Sequence, residues 1–326
     1  MVRTSRFKAP CQANRRQNRP SPTPASDSIA KMIDLAATPL GSQLDLRLTG
    51  PGARGFIGAD ELRELGRQTG LDESALILAC LPWARRWARP PISRYLVGAI
   101  ALGGSGALYF GGNIEFEGLP LCETVHAEQA AIVHAWVSGE REIRAVAASA
   151  APCGFCRQFM LELPEPRPLI LVPGGPPVEL DALLPAHFGP VELGRAPTLL
   201  RAGPHGFALA DDEGNPLVEL ALAALNSSSA PYTDALAAVG LATAQGVRYA
   251  GGVAESVAYN PTLGPMQSAL IALHMQGGRF EAIREAVLIE RPDAMVSHAR
   301  SAAQVLGSVA PGVELRVFAA LNPNAG

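Results

Sequence analysis

The sequence has little charge. Charged residues occupy 17% of its 326 positions, against about a quarter in typical globular domains. The formal net charge of -3 lacks the strong basic excess with which proteins neutralise nucleic acid phosphates. Hydrophobic residues make up 48%, enough for a packed core, so disorder of the whole chain is excluded. We therefore expect a globular protein without a nucleic acid partner.

Long hydrophobic runs are also lacking. No stretch reaches the roughly 18 to 20 apolar residues of a membrane-spanning helix, and the run from Leu217 to Leu225 is broken by Glu219. The cysteines number five, an odd count, and no secretory hydrophobic segment precedes them. We therefore expect a soluble, cytoplasmic protein with no membrane partner, in which the close pair Cys153 and Cys156 has its own purpose.

The domain organisation follows from length and local composition. At roughly 150 residues per domain, the length predicts about two domains. The start of the chain is basic and has no hydrophobic period, which predicts a disordered extension, although a basic interaction arm or a targeting segment stays open. The predicted units are a disordered extension over residues 1–31, a small helical region over 32–88, a first α/β domain over 89–174, a connector over 175–213 and a second domain over 214–326.

Strand and helix patterns alternate in the first α/β domain. The predicted elements are strands at 95–100 and 108–110 joined by a glycine turn, a helix at 124–136, a strand at 143–148, a helix at 153–163 and a strand at 169–172. This alternation predicts an α/β fold in which helices cover a sheet. His134 and Cys80 lie on apolar stretches and are predicted to be core residues.

The second domain repeats the first. The recurring residues are Tyr109, Gly111, Gly112 and Glu115, matched by Tyr249, Gly251, Gly252 and Glu255, and then Thr124 and Gln129, matched by Thr262 and Gln267. The first set recurs after 140 residues and the second after 138, so a two-residue deletion in one loop separates them. The alternative is chance similarity between two Ala- and Gly-rich segments. We predict a duplicated fold.

A chemically specific group of residues occurs in the first copy only. His126 and Glu128 begin one predicted helix, and Cys153 and Cys156 begin the next. One imidazole and two thiolates suit zinc and leave a fourth position for water. Glu128 is not needed as a ligand and can serve that water as a general acid and base. We predict one zinc ion per chain on His126, Cys153 and Cys156, with Glu128 as the catalytic residue.

The second copy has lost these side chains. At the repeat offsets, His126 and Glu128 correspond to Gly264 and Met266. Aligning Arg157 with Arg300 places Cys153 and Cys156 opposite Val296 and Ala299. We therefore expect no zinc site in the second domain.

Two other chemistries are open for the first copy. A closed structural zinc site would use Cys122 as the fourth ligand, since Cys122 lies four residues before His126. A redox pair of Cys153 and Cys156 is the other, but no thioredoxin-like strand pattern precedes it. Neither the structural zinc site nor the redox pair accounts for Glu128.

These motifs resemble those of a known family. The run TVHAEQ at 124–129 and the run PCGFCRQFM at 152–160 are similar to those of cytidine deaminases, specifically the long, homodimeric bacterial type, and contain the zinc deaminase signature. The resemblance extends from about residue 60 to the C-terminus and includes NPTL at 260–263. It implies a three-layer α/β/α fold with a mixed sheet, a degenerate second domain, a homodimer, and deamination of cytidine and 2'-deoxycytidine in pyrimidine salvage.

The resemblance also implies substrate-binding residues. Asn113 and Glu115 match positions that bind the ribose hydroxyls, and Tyr95 and Phe188 match aromatic positions near the base or sugar. The alternatives are a polar turn for the first two and core packing for the aromatics. A carboxylate at the 3'-hydroxyl would repel a phosphodiester, so Glu115 favours free nucleosides over DNA or RNA.

Alternative functions stay open at this point. One is zinc-dependent deamination of another nucleobase, of a nucleotide or of nucleic acid. A more distant one is a nucleoside-binding protein without turnover, although the first copy keeps Glu128 and all three predicted zinc ligands.

Overall fold

The computed structural model describes residues 35–50, 52–209 and 214–322, so the predicted extension over 1–31 lies outside the described residues. The helices are α1 (Pro39–Thr49), α2 (Ala59–Thr69), α3 (Glu73–Ala84), α4 (Ala127–Val137), α5 (Gly154–Met160), α6 (Leu180–Leu183), α7 (Pro216–Leu225), α8 (Pro265–Met275) and α9 (Ala299–Val309). The strands are β1 (Phe56–Ile57), β2 (Gly98–Gly103), β3 (Leu108–Gly112), β4 (Ile143–Ala148), β5 (Leu169–Leu171), β6 (Val178–Glu179), β7 (Ala208–Leu209), β8 (Ala237–Thr243), β9 (Arg248–Gly252), β10 (Ile283–Glu290) and β11 (Leu315–Leu321).

The first three helices precede the first large sheet strands. The Thr38 hydroxyl accepts the Gly41 N–H and so caps α1. The Asp72 carboxylate caps α3 in the same way by accepting the Ala75 N–H. Between them, α2 ends at Gly70, whose φ of 68° is in the left-handed region that favours glycine. All three helices lie within the region over 32–88 that is predicted to be helical.

The first sheet is mixed. Its strand order is β1-β3-β2-β4-β5-β6. Strand β2 is antiparallel to both β3 and β4, whereas β4 and β5 are parallel. Helix α4 covers β2 and β3 closely, since a Cβ at Gly111 would lie 2.3 Å from the Ala131 nitrogen. Gly111 therefore sets the distance between helix and sheet.

The second sheet repeats this arrangement. Its order is β7-β11-β10-β8-β9, with β8 antiparallel to β9 and β10, and β10 parallel to β11. The repeat holds in detail, because a Cβ at Gly251 would lie 2.4 Å from the Ala269 nitrogen of α8. These sheets confirm the predicted duplication and the α/β fold with mixed sheets flanked by helices.

The predicted connector contributes to both sheets. Strand β6 pairs with β5 through Leu169 and Glu179, which extends the first sheet. Strand β7 pairs with β11 through Leu209 and Ala320, which extends the second sheet. Prolines and glycines in this segment conceal its short strands at the level of sequence pattern.

One helix and one strand begin later in the structure than the sequence predicts. The helix predicted from residue 124 begins at Ala127, because Val125 is extended and exchanges both backbone hydrogen bonds with Ile114. The strand predicted from residue 95 begins at Gly98, because the Asn113 side chain takes the Val97 N–H and the Tyr95 carbonyl, which regular strand pairing would use. The predicted helix over 153–163 is shorter as well, ending at Met160.

The two copies pack together through α4 and α8. Residues of both helices belong to one continuous hydrophobic core. The Gln129 amide on α4 crosses to the second copy and donates to the Pro261 carbonyl oxygen at 2.9 Å. Within the described residues, each helix is too short or too polar to cross a lipid bilayer.

Candidate metal centre

His126 is held at the start of α4. It is the N-cap residue, in extended conformation, and its backbone N–H donates to the Gln129 side-chain oxygen at 3.3 Å. The residue before it, Val125, is fixed to Ile114 by two backbone hydrogen bonds. The backbone at the predicted ligand is therefore constrained on both sides.

The two cysteines occupy the corresponding place on α5. Cys153 is the N-cap residue of this helix, and Cys156 lies in its first turn. Arg157 bridges the Pro152 carbonyl at 2.8 Å and the Leu183 carbonyl at 2.6 Å, which ties the turn before α5 to the segment after it. The N-termini of α4 and α5 thus meet, and their positive dipole ends favour thiolate over thiol.

The donor atoms of the predicted ligands are spaced as a tetrahedral ion requires. His126 Nδ1 lies 3.5 Å from Cys153 Sγ and 3.3 Å from Cys156 Sγ, and the two sulfurs are 3.7 Å apart. Zinc bonds of about 2.3 Å to sulfur and about 2.0 Å to nitrogen, set at tetrahedral angles, give donor separations of about 3.5 and 3.8 Å. The three residues therefore fit a zinc ion.

The sulfur atoms differ in exposure and protonation. Cys153 is exposed and Cys156 is buried. The hydrogen bond between the two sulfurs lowers the pKa of Cys153 to about 5, against the effect of burial. The same hydrogen bond, together with burial, raises the pKa of Cys156. Without a metal, Cys153 therefore carries the charge, and Cys156 gives up its proton when it binds one.

Glu128 lies in the first turn of α4 and is 5% exposed. Burial raises the pKa of its carboxyl, although hydrogen bonds from its own backbone N–H and with Cys156 act in the opposite direction. A carboxyl with a raised pKa, next to the metal ligands, holds a proton more readily than an ordinary carboxyl and is suited to general acid and base catalysis.

Asn113 and Glu115 are hydrogen bonded to the loop that enters β2. Asn113 accepts the Val97 N–H at 3.0 Å and donates to the Tyr95 carbonyl at 3.1 Å. Glu115 accepts the backbone N–H groups of Ile92 and Ser93 at 2.9 and 2.8 Å, and the Ser93 hydroxyl at 2.5 Å. Both side chains thus fix the conformation of the loop before β2, residues 92–97.

The pKa of Glu115 reflects these bonds. Burial alone would raise it, but the hydrogen bonds from Ser93 and Ile92 outweigh burial and hold the pKa below its usual value. Glu255, its counterpart in the second copy, receives the same set of bonds from Tyr232 and Thr233. Within the described residues, the second copy gathers no group of side chains that could hold a metal, so the loop-holding contact does not depend on a metal centre.

The two predicted aromatic residues are exposed. Tyr95 is 62% and Phe188 52% exposed, so neither is a core residue. The Phe188 carbonyl accepts the Gln158 side-chain amide of α5 at 2.7 Å, which ties its loop to the helix that carries the cysteines. In contrast, His134 and Cys80 are buried, as predicted.

Sequence reasoning missed the role of Phe155. Its ring stacks on the His126 imidazole, with centroids 4.8 Å apart and planes 20° apart. The only signal in the sequence is its position between the two cysteines.

Within the described residues, the side chains that are close enough together to hold a metal ion are His126, Cys153 and Cys156. Cys122 is not among them.

The helix starts revise one correspondence between the copies. His298 is the N-cap residue of α9, as Cys153 is of α5. This places His298 and Ser301 opposite Cys153 and Cys156, two residues beyond the alignment based on Arg157. The local sequence did not reveal this shift because the loops before the two helices differ in length.

Comparisons with known proteins agree with this geometry. The family described as "Cytidine and deoxycytidylate deaminase zinc-binding region" matches residues 72–171 and again residues 180–303. A cytidine deaminase of Vibrio vulnificus is 44% identical over 251 residues, which cover 77% of this chain and 84% of that protein. A cytidine deaminase of Yersinia pestis is 45% identical over 243 residues, covering 74% and 82%.

A solved cytidine deaminase of Mycobacterium tuberculosis is 31% identical and covers 36% of this chain and 99% of its own, with a TM-score of 0.34. The sequence matches show the class of the protein. The chain belongs to the zinc-binding cytidine and deoxycytidylate deaminase family, with one family match in each half of the duplicated fold.

Proposed function

We propose that this protein is a zinc-dependent cytidine deaminase, which hydrolyses cytidine and 2'-deoxycytidine to uridine and 2'-deoxyuridine plus ammonia. The observation that carries the proposal is the tetrahedral donor spacing of His126, Cys153 and Cys156, with the buried carboxyl of Glu128 beside it. The cytidine deaminases to which the chain is about 45% identical support the substrate. Such a reaction belongs to pyrimidine salvage.

The proposed chemistry divides between the metal and Glu128. What zinc supplies when bound is Lewis-acid activation of a water molecule at neutral pH. Glu128 would take one proton from the water, whose oxygen bonds to C4 of the cytosine ring, and pass it to N3. It would then take the remaining proton of that oxygen and pass it to the amino group, so that the C4–N bond breaks, the C4 carbonyl forms and ammonia leaves. Its raised pKa suits both directions of transfer.

We assign the ribose to Asn113 and Glu115. Both lie on the segment that follows β3, and their hydrogen bonds shape the loop bearing Tyr95. An ionised Glu115 accepts a free 3'-hydroxyl and repels a phosphodiester, which favours nucleosides as substrates. Tyr95 and Phe188 are exposed aromatics available to contact the nucleoside.

The assembly and location are proposed on the same basis. The cytidine deaminases that this sequence resembles are homodimers of the long bacterial type, so we propose a homodimer. The free cysteines of the described residues are Cys80, Cys122, Cys153 and Cys156. Reduced thiols in the predicted zinc site favour the cytoplasm.

Loss of the cytosine ultraviolet band tests the reaction directly. Zinc-quantified protein is mixed with cytidine beside the Glu128→Gln variant, which keeps the side-chain volume but cannot accept the proton as a base. Glu117→Gln serves as the control, because Glu117 is exposed. We expect one zinc per chain in all three proteins, with turnover reduced roughly 100-fold or more only in Glu128→Gln.

Two results would contradict the proposal. Turnover by Glu128→Gln at the native rate would remove Glu128 from the chemistry. A native protein that binds zinc but leaves cytidine intact would have another substrate, to be sought among dCMP, adenosine and single-stranded oligonucleotides.

A further inference from the structure

Glu123 of the first copy reaches into the second copy. Its carboxylate accepts the Gln267 side-chain amide at 2.7 Å. The Ser301 hydroxyl lies 3.0 Å from each carboxylate oxygen. We call Glu123, Gln267 and Ser301 the Glu123 cluster. Its members are 144 and 178 residues apart along the chain, so only the packing of the two copies brings them together.

The Glu123 cluster occupies the place of the second copy's lost metal centre. Gly264 precedes α8 as His126 precedes α4. Ser301 lies in the first turn of α9, as Cys156 lies in the first turn of α5. Where the first copy gathers metal ligands at two helix starts, the second copy therefore gathers hydrogen-bond donors around a carboxylate that the first copy supplies.

The loss of a side chain at Gly264 makes this possible. A Cβ at this position would lie 2.6 Å from the Gln267 side-chain oxygen, closer than van der Waals contact permits. Gln267 is buried, and its amide keeps its orientation toward Glu123 only while position 264 has no side chain. The position that carries the ligand His126 in one copy thus makes room for the Gln267 amide in the other.

The negative charge of the Glu123 carboxylate is also stabilised by a helix dipole. Ser301 is the third residue of α9, an 11-residue helix. A negative group at the N-terminus of a helix is stabilised by the positive end of the helix dipole. Together with two hydrogen bond donors, this field fixes the position of Glu123 more firmly than a single surface contact would.

Glu123 is linked to the first metal centre through a short, fixed segment. It lies three residues before His126, and the intervening Val125 is bound to Ile114 on both backbone groups. On the other side of His126, the Gln129 amide donates to the Pro261 carbonyl of the second copy. The segment that presents the imidazole is therefore tied to the second copy at both ends.

We propose that the Glu123 cluster positions His126 for zinc. The helix starts of the second copy, which carry no zinc ligands, would thus stabilise the zinc site of the first copy. Glu123 is a positioning residue and contacts neither metal nor substrate. The inference rests on the proposed zinc site. It assigns the degenerate copy a role in metal retention.

Zinc release tests this role without reference to turnover. Zinc-loaded full-length proteins are mixed with an excess of a chromogenic chelator, and the release half-time is measured well below the unfolding temperature. Ser301→Val replaces the hydroxyl by two methyl groups, and a cavity of about 190 Å³ beside the cluster leaves room for the added volume. Ser301→Thr restores the hydroxyl, and Ser308→Val makes the same change at the far end of α9.

We expect Ser301→Val to release zinc roughly tenfold faster, because outer residues that orient metal ligands typically change metal affinity by about 10- to 100-fold. Ser301→Thr should restore the native half-time, and Ser308→Val should leave it unchanged. Glu123→Gln, which presents an amide in place of one acceptor oxygen, is the second variant should Ser301→Val fold poorly, and it should also speed release.

The contrary outcomes are distinct. Native release from Ser301→Val or Glu123→Gln, or equal acceleration by Ser301→Val and Ser308→Val, overturns the positioning role while leaving the zinc site intact. A native protein that holds no zinc overturns the proposed metal site and this inference together.

Discussion

Two buried histidines should make the stability of this protein depend on pH. His134 on α4 is 2% exposed and donates from Nδ1 to the Phe110 carbonyl at 3.0 Å. His274 on α8 is 8% exposed and donates from Nε2 to the Trp87 carbonyl at 2.8 Å. Burial lowers the pKa of each to about 4. Both imidazoles are therefore neutral in the folded protein throughout the physiological range.

The sign and size of the effect follow from proton linkage. In the unfolded chain each histidine has its ordinary pKa of about 6.5, so the unfolded state binds more protons as the pH falls from 6.5 toward 4. The free energy of unfolding therefore falls with falling pH in this window. Between pH 7.5 and 5.5 the loss is about 1.3 kcal/mol for each histidine and about 2.6 kcal/mol for both.

A matched variant isolates this contribution from that of other groups. In His134→Asn, the side-chain amide nitrogen stands close to the former Nδ1 position, can donate to the Phe110 carbonyl and does not titrate. Urea unfolding of both proteins at pH 7.5, 6.5 and 5.5, in excess chelator so that zinc binding does not contribute, gives their free energies of unfolding. We expect the native protein to lose about 1.3 kcal/mol more than the variant over this range. If the free energies of unfolding of the two proteins fall by the same amount between pH 7.5 and 5.5, the reasoning is refuted.

Three further predictions concern the metal and the packing. Cys122→Ser should leave the zinc content at one ion per chain, because Cys122 is not among the side chains that are close enough together to hold a metal ion; metal loss, measured by elemental analysis, would revive the closed structural site. Gly111→Ala should lower the free energy of unfolding by roughly 1 to 3 kcal/mol, because its Cβ would meet the α4 backbone. Gly307→Ala, where the new Cβ enters open space on α9, should raise it by up to about 1 kcal/mol in the same denaturation assay.

Several features of the site could be read from the sequence because they are local. His126 with Glu128, and Cys153 with Cys156, are short motifs whose ligand chemistry admits few purposes. Their position at helix starts also followed from nearby residues. The tetrahedral donor spacing agrees with that prediction.

The duplication was readable for a different reason. Gly111 and Gly251 are required where a helix backbone touches a sheet, and two such contacts at the same offset indicate two copies of one packing arrangement. The mixed order of the strands was implied by the family resemblance and could not be worked out from the alternation of elements alone.

Other features depend on residues far apart in the chain. The connector contributes an edge strand to each sheet, a role set by neighbours that its own Pro- and Gly-rich sequence does not specify. Asn113 and Glu115 hold the loop before β2, a contact that becomes visible only when β3 and that loop are placed side by side.

The sequence by itself thus determined the chemistry of the centre, the residue types that bind zinc and move protons, because this information lies within a few residues of each helix start. Only the tertiary structure decided how the centre is supported. The Glu123 cluster joins residues up to 178 positions apart, and no local pattern encodes such a contact, since its geometry arises from the packing of α4 against α8.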